Sequence, residues 1–217
     1  MLSDPTGSWT PVALSVDLPP GTVVPARTPA GPIALWRSAS GRPSASADRC
    51  PHRGMRLSHG FVRGETLSCI YHGWSYGAAG NCLRIPAHPG LSPPETIRVA
   101  THPVEEAGGV IWVGVGEPAT QPPQLAGLVP LRSLQAQAGM AALEAAAGAK
   151  ADENGLLETT QNSQEIRLLL AFQERDETLI HVLLDGDSSL LERIAVSRAV
   201  EALRRKAEAI EAEGSSR

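Results

Sequence analysis

Two short segments, each holding one cysteine and one histidine, place the strongest constraint on the fold of this chain. Cys50 and His52 lie in DRCPHRGM, and Cys69 and His72 lie in LSCIYHGW. A glycine closely follows each pair, which favours a tight loop over a helix. Two loops that each present a thiolate and an imidazole can converge on one metal centre. The sequence therefore predicts a fold that brings these two loops together.

The rest of the composition is typical of a globular protein. A length of 217 residues corresponds to one domain or two small ones, and 42% hydrophobic with 19% charged residues excludes global disorder. The formal net charge of −4 argues against a nucleic-acid binder, and no apolar run is long enough to span a membrane. The opening MLSDPTGSWTPV lacks the basic and apolar regions of a secretory signal. We therefore expect a cytoplasmic protein without nucleic-acid or membrane partners.

Three arrangements are compatible with the cysteine and histidine pairs. A structural zinc ion usually takes two cysteines from one loop and two histidines from a helix, whereas here each loop supplies one of each. The four residues would be unrelated if each cysteine were only a small buried hydrophobe. In a Rieske [2Fe–2S] cluster, two histidines replace two cysteines on one iron. The third cysteine, Cys82, follows a glycine-rich turn and is predicted to be a turn or strand residue.

The motifs CPHRGMRLSHG and CIYHGWSY resemble the N-terminal Rieske domain of the alpha subunits of ring-hydroxylating and demethylating Rieske non-haem iron oxygenases. The flanking WTPVALSVDL, GAAGNCLRIP and HPVEEAGGVIWVGVGEP extend the resemblance over about residues 8–118. It implies a β-rich domain of small antiparallel sheets with two cluster-binding loops. It also implies one Rieske-type [2Fe–2S] cluster, with Cys50 and Cys69 on one iron and His52 and His72 on the other, more exposed iron.

Respiratory Rieske proteins resemble this chain at the ligand positions but carry a further cysteine in each loop, and those two form a disulfide. Met55 and Tyr71 stand at these places here, so that bridge cannot form. With no disulfide and fewer polarising groups near the sulfurs, we expect a reduction potential nearer roughly −150 mV than +300 mV. Proton linkage at the histidine ligands predicts that this potential falls as pH rises.

The sequence pattern changes after residue 118. Residues 117–131 hold four prolines, which predicts a connection between domains over 119–131. The alanine- and leucine-rich stretch that follows predicts a helix from about Arg132 to Ala147, and the polar residues 148–164 predict a loop.

Two strand-like runs, EIRLLLAF and ETLIHVLL, are joined by QERDE and predict a hairpin. Ser189 and Glu192 fit a capping box at the start of a long amphipathic helix that ends near Glu213. The predicted fold is thus a Rieske domain over 8–118 followed by a small α/β region over 132–217. The resemblance makes the latter region a candidate remnant of an oxygenase catalytic domain.

A complete oxygenase of this kind also needs a mononuclear iron, normally held by two histidines and a carboxylate. After His102 the sequence contains one histidine, His181, inside a strand-like run. The paired histidines of that site are therefore absent between residues 119 and 217. We expect no catalytic residues in this chain and no oxygenase activity from it alone.

The resemblance implies an electron-transfer protein that takes single electrons from a flavin reductase or ferredoxin and passes them to an oxygenase subunit. One alternative is a subunit of a hetero-oligomeric Rieske oxygenase whose mononuclear iron is supplied by another chain. Another is a non-catalytic redox-sensing protein. Because oxygenase trimers pass electrons between neighbouring subunits, an oligomer is compatible with the first two. A basic rim of exposed side chains either steers an acidic partner or only solvates the loops: Arg49, Arg53, Arg56 and Arg63.

Overall fold

The computed structural model describes residues 7–116, 118, 120–161, 163–174 and 176–215. The chain divides into two compact units, each made of several segments. The first comprises Met1–Thr10, Ser15–Glu106 and Ile111–Gln121, and the second comprises Pro11–Leu14, Ala107–Val110 and Pro122–Arg217. The domain limits expected from the sequence, 8–118 and 132–217, stay a prediction. The first six residues, used above to argue against a secretory signal, lie outside the described residues, as does residue 119 of the predicted connection.

Short antiparallel strands build the first unit. A four-stranded sheet has the order β2-β3-β4-β9, and a second has the order β5-β6-β7-β8. Their strands are β2 (Val23–Thr28), β3 (Gly31–Arg37), β4 (Pro43–Ala47), β5 (Phe61–Arg63), β6 (Thr66–Ser68), β7 (Ser75–Tyr76), β8 (Cys82–Arg84) and β9 (Thr101–His102). One-turn 3-10 helices span Ser15–Asp17 and Leu57–His59.

A further sheet has the order β1-β11-β10, with β1 at Trp9–Leu14, β10 at Val104–Ala107 and β11 at Val110–Gly114. Gly108 and Gly109 form the turn between β10 and β11. Both have positive φ, at 61° and 73°, a backbone region that glycine enters without strain. Strand β11 is fully buried, in keeping with its unbroken apolar sequence.

The second unit holds one four-stranded antiparallel sheet with two helices. Its order is β12-β15-β14-β13, formed by β12 (Leu128–Ala136), β13 (Leu156–Gln161), β14 (Gln164–Glu174) and β15 (Glu177–Asp185). Helix α1 spans Met140–Ala147, and helix α2 spans Leu190–Ser215. The predicted hairpin corresponds to β14 and β15, although Arg175 in its turn lies outside the described residues.

Two sequence predictions for this unit are wrong. The helix expected from Arg132 begins only at Met140, because the preceding residues pair with β15 as strand β12. The loop expected over 148–164 contains the edge strand β13, which pairs with β14. In both places, cross-strand hydrogen bonding overrides a local composition that favours helix or loop.

The helical predictions that depend on capping and periodicity are confirmed. Ser189 and Glu192 exchange hydrogen bonds, from the Ser189 N–H to Glu192 Oε2 at 2.7 Å and from the Glu192 N–H to Ser189 Oγ at 3.3 Å. Helix α1 ends at Gly148, whose φ is 70°. The apolar stripe of α2 is buried in the core of this unit: Val196, Val200, Leu203 and Ala207. Among the described helices, none has the length and apolar character required to cross a bilayer.

Candidate metal centre

The loop between β4 and the Leu57–His59 turn folds back on itself around Cys50. The Cys50 N–H donates to the carbonyl of Met55, and the Gly54 N–H donates to the carbonyl of Cys50, both at 2.8 Å. Gly54 has a φ of 73°, which closes this turn at little conformational penalty. The side chain of His52 therefore projects from the tip of a closed loop.

The loop between β6 and β7 repeats this backbone arrangement. The Cys69 N–H donates to the carbonyl of Trp74, and the Gly73 N–H donates to the carbonyl of Cys69, both at 2.9 Å. Gly73 has a φ of 69°, close to that of its counterpart Gly54. A glycine four residues after each cysteine is thus the sequence signal for two equivalent turns.

The four predicted site residues converge. Cys50 and Cys69 are buried, at 2% and 1% exposure, both are free thiols, and they interact with each other directly. The rings of His52 and His72 meet edge to face, with centroids 4.6 Å apart and an interplanar angle of 63°. His72 is exposed and His52 half-buried, so the pair of thiols lies inside and the pair of imidazoles faces outward.

An unpartnered nitrogen atom indicates that this group of side chains binds a ligand. The Nδ1 atom of His52 is buried and has no hydrogen-bond partner in the described part of the chain. Buried polar atoms are almost always paired, so a free imidazole nitrogen here is suited to binding a metal. Within the described residues, no three His, Cys, Asp or Glu side chains are placed to hold a single metal ion together. A [2Fe–2S] cluster does not need one, since each of its irons takes two protein ligands.

Aromatic rings support the two histidines. The indole of Trp74 stacks on His52 with centroids 4.3 Å apart and planes 3° from parallel. The ring of Tyr71 lies 3.9 Å from that of His72. The four rings form a continuous series that fixes the orientation of both imidazoles.

The Tyr76 hydroxyl contacts one of the two sulfurs, a feature that the sequence reasoning missed. Its oxygen lies 3.1 Å from Cys50 Sγ, and its ring is buried at 2% exposure. When Cys50 is a thiolate, only the hydroxyl can donate in this pair. Tyr76 follows His72 by four residues, in HGWSY. The sequence places it close to the second loop, but only the fold shows that its hydroxyl contacts Cys50.

Asp48 forms a second unpredicted element of the site. Its carboxylate accepts hydrogen bonds from both the N–H and the hydroxyl of Ser58, each at 2.7 Å. Both residues are buried, at 6% exposure. Because Asp48 precedes the first loop and Ser58 follows it, this pair ties the two ends of that loop together.

Burial dominates the electrostatics of the site. It raises the pKa of the Cys69 thiol, against the opposing effect of hydrogen bonds from the backbone of Tyr71 and His72. Burial likewise raises the pKa of Tyr76, with a further contribution from its hydrogen bond to Cys50. Desolvation lowers the pKa of His52, assisted by the charges of His72 and Arg53. A neutral imidazole is the form that binds metal.

The remaining candidates are not part of the group of four side chains, although Cys82 lies in the same buried core as Cys50 and Cys69. Cys82 is a buried strand residue whose Sγ is 3.7 Å from the carbonyl of Arg84, as the sequence predicted. His181 is fully buried in β15, with Nδ1 2.8 Å from Ser133 Oγ. The predicted rim arginines are all exposed. In the part of the chain that the structure describes, none of them forms an ion pair: Arg49, Arg53, Arg56 and Arg63.

Comparison with protein families matches residues 8–103 to the Rieske [2Fe-2S] domain. Among curated proteins, oxidoreductase NdmD of Pseudomonas putida is 44% identical over 115 residues, which cover 52% of this chain and 20% of NdmD. The 4beta-methylsterol monooxygenase of Methylococcus capsulatus is 42% identical over 115 residues, covering 51% of this chain and 31% of that enzyme. The chain thus spans less than a third of the length of these two relatives.

Solved structures share the fold well beyond the matched domain. Dicamba monooxygenase bound to dicamba has a TM-score of 0.71 at 19% identity, covering 98% of this chain and 89% of that one. The QL mutant of NdmA from Pseudomonas putida CBB5, solved with theobromine, has a TM-score of 0.74 at 20% identity and covers 92% and 80%. At this identity the likeness concerns the fold alone, and it includes the sheet and helices that follow residue 118.

Proposed function

Because residues 8–103 form a Rieske [2Fe-2S] domain and therefore imply a Rieske-type cluster, we propose that this chain is the electron-transfer component of a Rieske oxygenase system. Cys50 and Cys69 hold the inner iron, and His52 and His72 hold the outer one. The chain takes one electron at a time from a flavin reductase or ferredoxin and gives it to the mononuclear iron of an oxygenase subunit. It works in the cytoplasm.

One observation carries this proposal, the unpartnered Nδ1 of His52. This residue lies in the first of two equivalent loops that together supply two thiols and two imidazoles. A structural zinc site is closed, because protein ligands take all of its coordination positions. Such a site does not require exposed imidazoles. An electron carrier needs that exposure, because a partner must approach the cofactor closely. The exposed ring of His72 meets this requirement.

The chain's own residues set the conditions under which the cluster, when bound, supplies one-electron chemistry. Burial of Cys50 and Cys69 keeps water from the sulfurs. The hydroxyl of Tyr76 and the backbone N–H groups near Cys69 donate to those sulfurs and favour the more negative, reduced state. Trp74 and Tyr71 keep the imidazoles oriented through ring contacts.

Metal content is the first test. Protein purified without oxygen should contain two irons and two acid-labile sulfides per chain, and its reduced form should give the electron paramagnetic resonance signal of a Rieske centre. His72→Ala should lose most of the iron and sulfide. His88→Ala, which removes an exposed histidine outside the site, should retain both. Zinc without sulfide would contradict the assignment, and a third iron would indicate a mononuclear site.

Electron transfer is the second test. NADH with a flavin reductase, or a reduced ferredoxin, should reduce the cluster in many turnovers, and a full oxygenase subunit should then reoxidise it in the presence of substrate and oxygen. The isolated chain should not hydroxylate or demethylate any substrate. Turnover by the chain without a partner would refute the role as a carrier.

A second candidate function is a subunit of a hetero-oligomeric Rieske oxygenase whose mononuclear iron site is supplied by another chain. The fold likeness beyond the Rieske domain favours it, because a simple carrier would not need the second unit. Co-purification with a histidine-rich oxygenase subunit in a fixed ratio would support this assignment. A chain that remains monomeric in that mixture and still transfers electrons would support the carrier.

A further inference from the structure

A groove of about 390 Å³ lies on one face of the β5-β6-β7-β8 sheet in the first unit. A row of cross-strand partners runs across all four strands beneath it: Phe61, Ser68, Ser75 and Arg84. Cross-strand partners project from the same face of a sheet, so this row forms a continuous surface. The groove is open at the surface, since Arg63, Leu83 and Arg84 along it are all exposed.

The charge of this groove is positive. Arg63 and Arg84 line it, no carboxylate does, and neither arginine forms an ion pair within the described residues. Glu65, in the turn between β5 and β6, is directed elsewhere. Its two carboxylate oxygens accept hydrogen bonds from the N–H of Ser40 at 3.0 Å and from the Ser40 hydroxyl at 2.7 Å. In a chain of net charge −4, this groove is therefore a local attractor for anions.

Apolar surface accompanies these charges. The guanidinium of Arg63 stacks over the ring of Phe61, 4.8 Å from its centroid, which holds its charge at the mouth of the groove. Leu83 is 48% exposed beside it. A mixed surface of arginine and apolar side chains is characteristic of protein interfaces and is less suited to a small inorganic anion.

The floor is rigid and connects directly to the second loop of the metal centre. The hydroxyls of Ser68 and Ser75 lie 2.8 Å apart, and Ser75 donates to the carbonyl of Gly73 at 3.2 Å. Pro86, on the groove wall, packs so closely on Gly73 that a Cβ atom there would lie 2.9 Å from the proline Cγ. Gly73 is the residue directly after His72. A protein held in this groove thus contacts the residue adjacent in sequence to His72, whose side chain is exposed.

We propose that this groove is the docking site for an acidic segment of the protein that reduces the cluster, with Arg63 and Arg84 as its two charge contacts. This inference rests on the proposed function and adds to it the place and the chemistry of partner recognition. Aspartate and glutamate side chains fit the pair of guanidiniums, and the apolar atoms beside them fit Phe61 and Leu83. The partner's acidic surface orients it toward His72 and raises the rate of productive encounter.

Stopped-flow reduction by an acidic plant-type ferredoxin tests the proposal on the cluster-loaded chain. Arg63→Glu/Arg84→Glu should slow the second-order reduction at least about tenfold at low ionic strength, and the difference should shrink in high salt. The control Arg198→Glu/Arg205→Glu makes the same change in net charge at exposed positions on α2 and should stay within about twofold of wild type. Equal slowing by both pairs, or no slowing by the groove pair, would overturn the proposal.

A binding measurement tests the groove independently of the proposed electron-transfer function. Fluorescence anisotropy of a labelled hexaglutamate peptide should show binding to wild type and to the α2 control, and loss of binding in the groove variant. If dithionite reduces the cluster but ferredoxin does not, the proposed donor class fails, and the peptide result alone decides the groove. A single-stranded oligonucleotide of equal charge that binds as tightly as the peptide would contradict a site for acidic protein segments.

Discussion

Tyr76 modifies the expectation of a low reduction potential drawn from the sequence. The sequence argument counted few polarising groups near the sulfurs, whereas the structure places the Tyr76 hydroxyl 3.1 Å from Cys50 Sγ. A hydrogen bond to a ligand sulfur stabilises the reduced state, which carries more negative charge. The potential should therefore lie above that of an otherwise equal site without this hydroxyl.

Replacing Tyr76 by Phe should lower the reduction potential by on the order of 50 mV, since about 59 mV corresponds to a tenfold change for a one-electron couple. Protein-film voltammetry measures it directly. Tyr71→Phe is the matched control, because Tyr71 contacts His72 through its ring. The reduction potential of this variant should change far less. Equal shifts in both variants would show that the Cys50 hydrogen bond does not set the potential.

His181 predicts a pH dependence of stability in the second unit. It is fully buried, with Nδ1 2.8 Å from Ser133 Oγ and Nε2 3.4 Å from the carbonyl of Pro11, and burial lowers its pKa from 6.5 to about 4. Below pH 6.5 the unfolded chain binds a proton at this histidine that the folded chain does not. Stability is therefore lost as the pH falls from about 6.5 to about 4, by about 1.4 kcal/mol per pH unit at most.

Urea unfolding at several pH values, followed by the helical circular dichroism signal, checks this expectation. His181→Gln introduces a side-chain amide that can hydrogen-bond but cannot titrate. The slope of stability against pH should therefore be shallower than in wild type, by at most about 1.4 kcal/mol per pH unit. The other histidines contribute equally to both proteins and cancel in the difference. Parallel slopes would show that His181 is not the titrating group.

At the scale of elements, the first cluster loop depends on the pair that closes it. Asp48→Ala leaves the N–H and hydroxyl of buried Ser58 without their partner and should lower the free energy of unfolding by about 3 kcal/mol. It should also shorten the lifetime of the cluster in the presence of a chelator, measured by the loss of visible absorbance. Asp17→Ala removes an exposed aspartate and should change neither quantity measurably.

The two cluster loops could be predicted from the sequence because every requirement is local. A cysteine, a histidine and a glycine at short spacing define each turn, and the hydrogen bonds that close it join residues no more than five positions apart. The capping box at Ser189 and Glu192 is local in the same sense. Short-range chemistry of this kind is readable without knowledge of the fold.

Strand β12 could not be predicted in this way. Its sequence has the leucine, glutamine and alanine content of a helix, but Ser133 and Leu134 pair with His181 and Ile180 of β15, almost fifty positions away. The contact from Tyr76 to Cys50 and the pairing of Asp48 with Ser58 are likewise products of tertiary structure. The missed features of fold and site share one cause, which is that the partner is distant along the chain.

For the molecule as a whole, the two units should respond differently to removal of the cluster. The core of the first unit includes Cys50 and Cys69 themselves, together with Trp36, Leu57 and Leu67. The core of the second unit is formed by apolar residues of its sheet and two helices and contains no predicted ligand. Loss of metal therefore removes part of one core and none of the other.

Hydrogen–deuterium exchange of the loaded and cluster-free protein measures this difference. Peptides covering both cluster loops and strands β5 to β8 should exchange much faster after iron removal, while peptides from β14, β15 and α2 should keep most of their protection. The helical dichroism signal should persist. Uniform loss of protection across both units would show that they unfold together.

The stack of Trp74 on His52 gives the protein an optical consequence. An indole held 4.3 Å from the ring of a proposed ligand of an iron–sulfur chromophore should transfer its excitation to that chromophore instead of emitting light. The emission of Trp74 near 340 nm should therefore be quenched in the loaded protein and increase as the cluster leaves, and Trp74→Phe should remove this contribution while Trp9, Trp36 and Trp112 remain. Assembly and decay of the centre can then be followed in real time, in dilute solution, as the difference in fluorescence between wild type and Trp74→Phe.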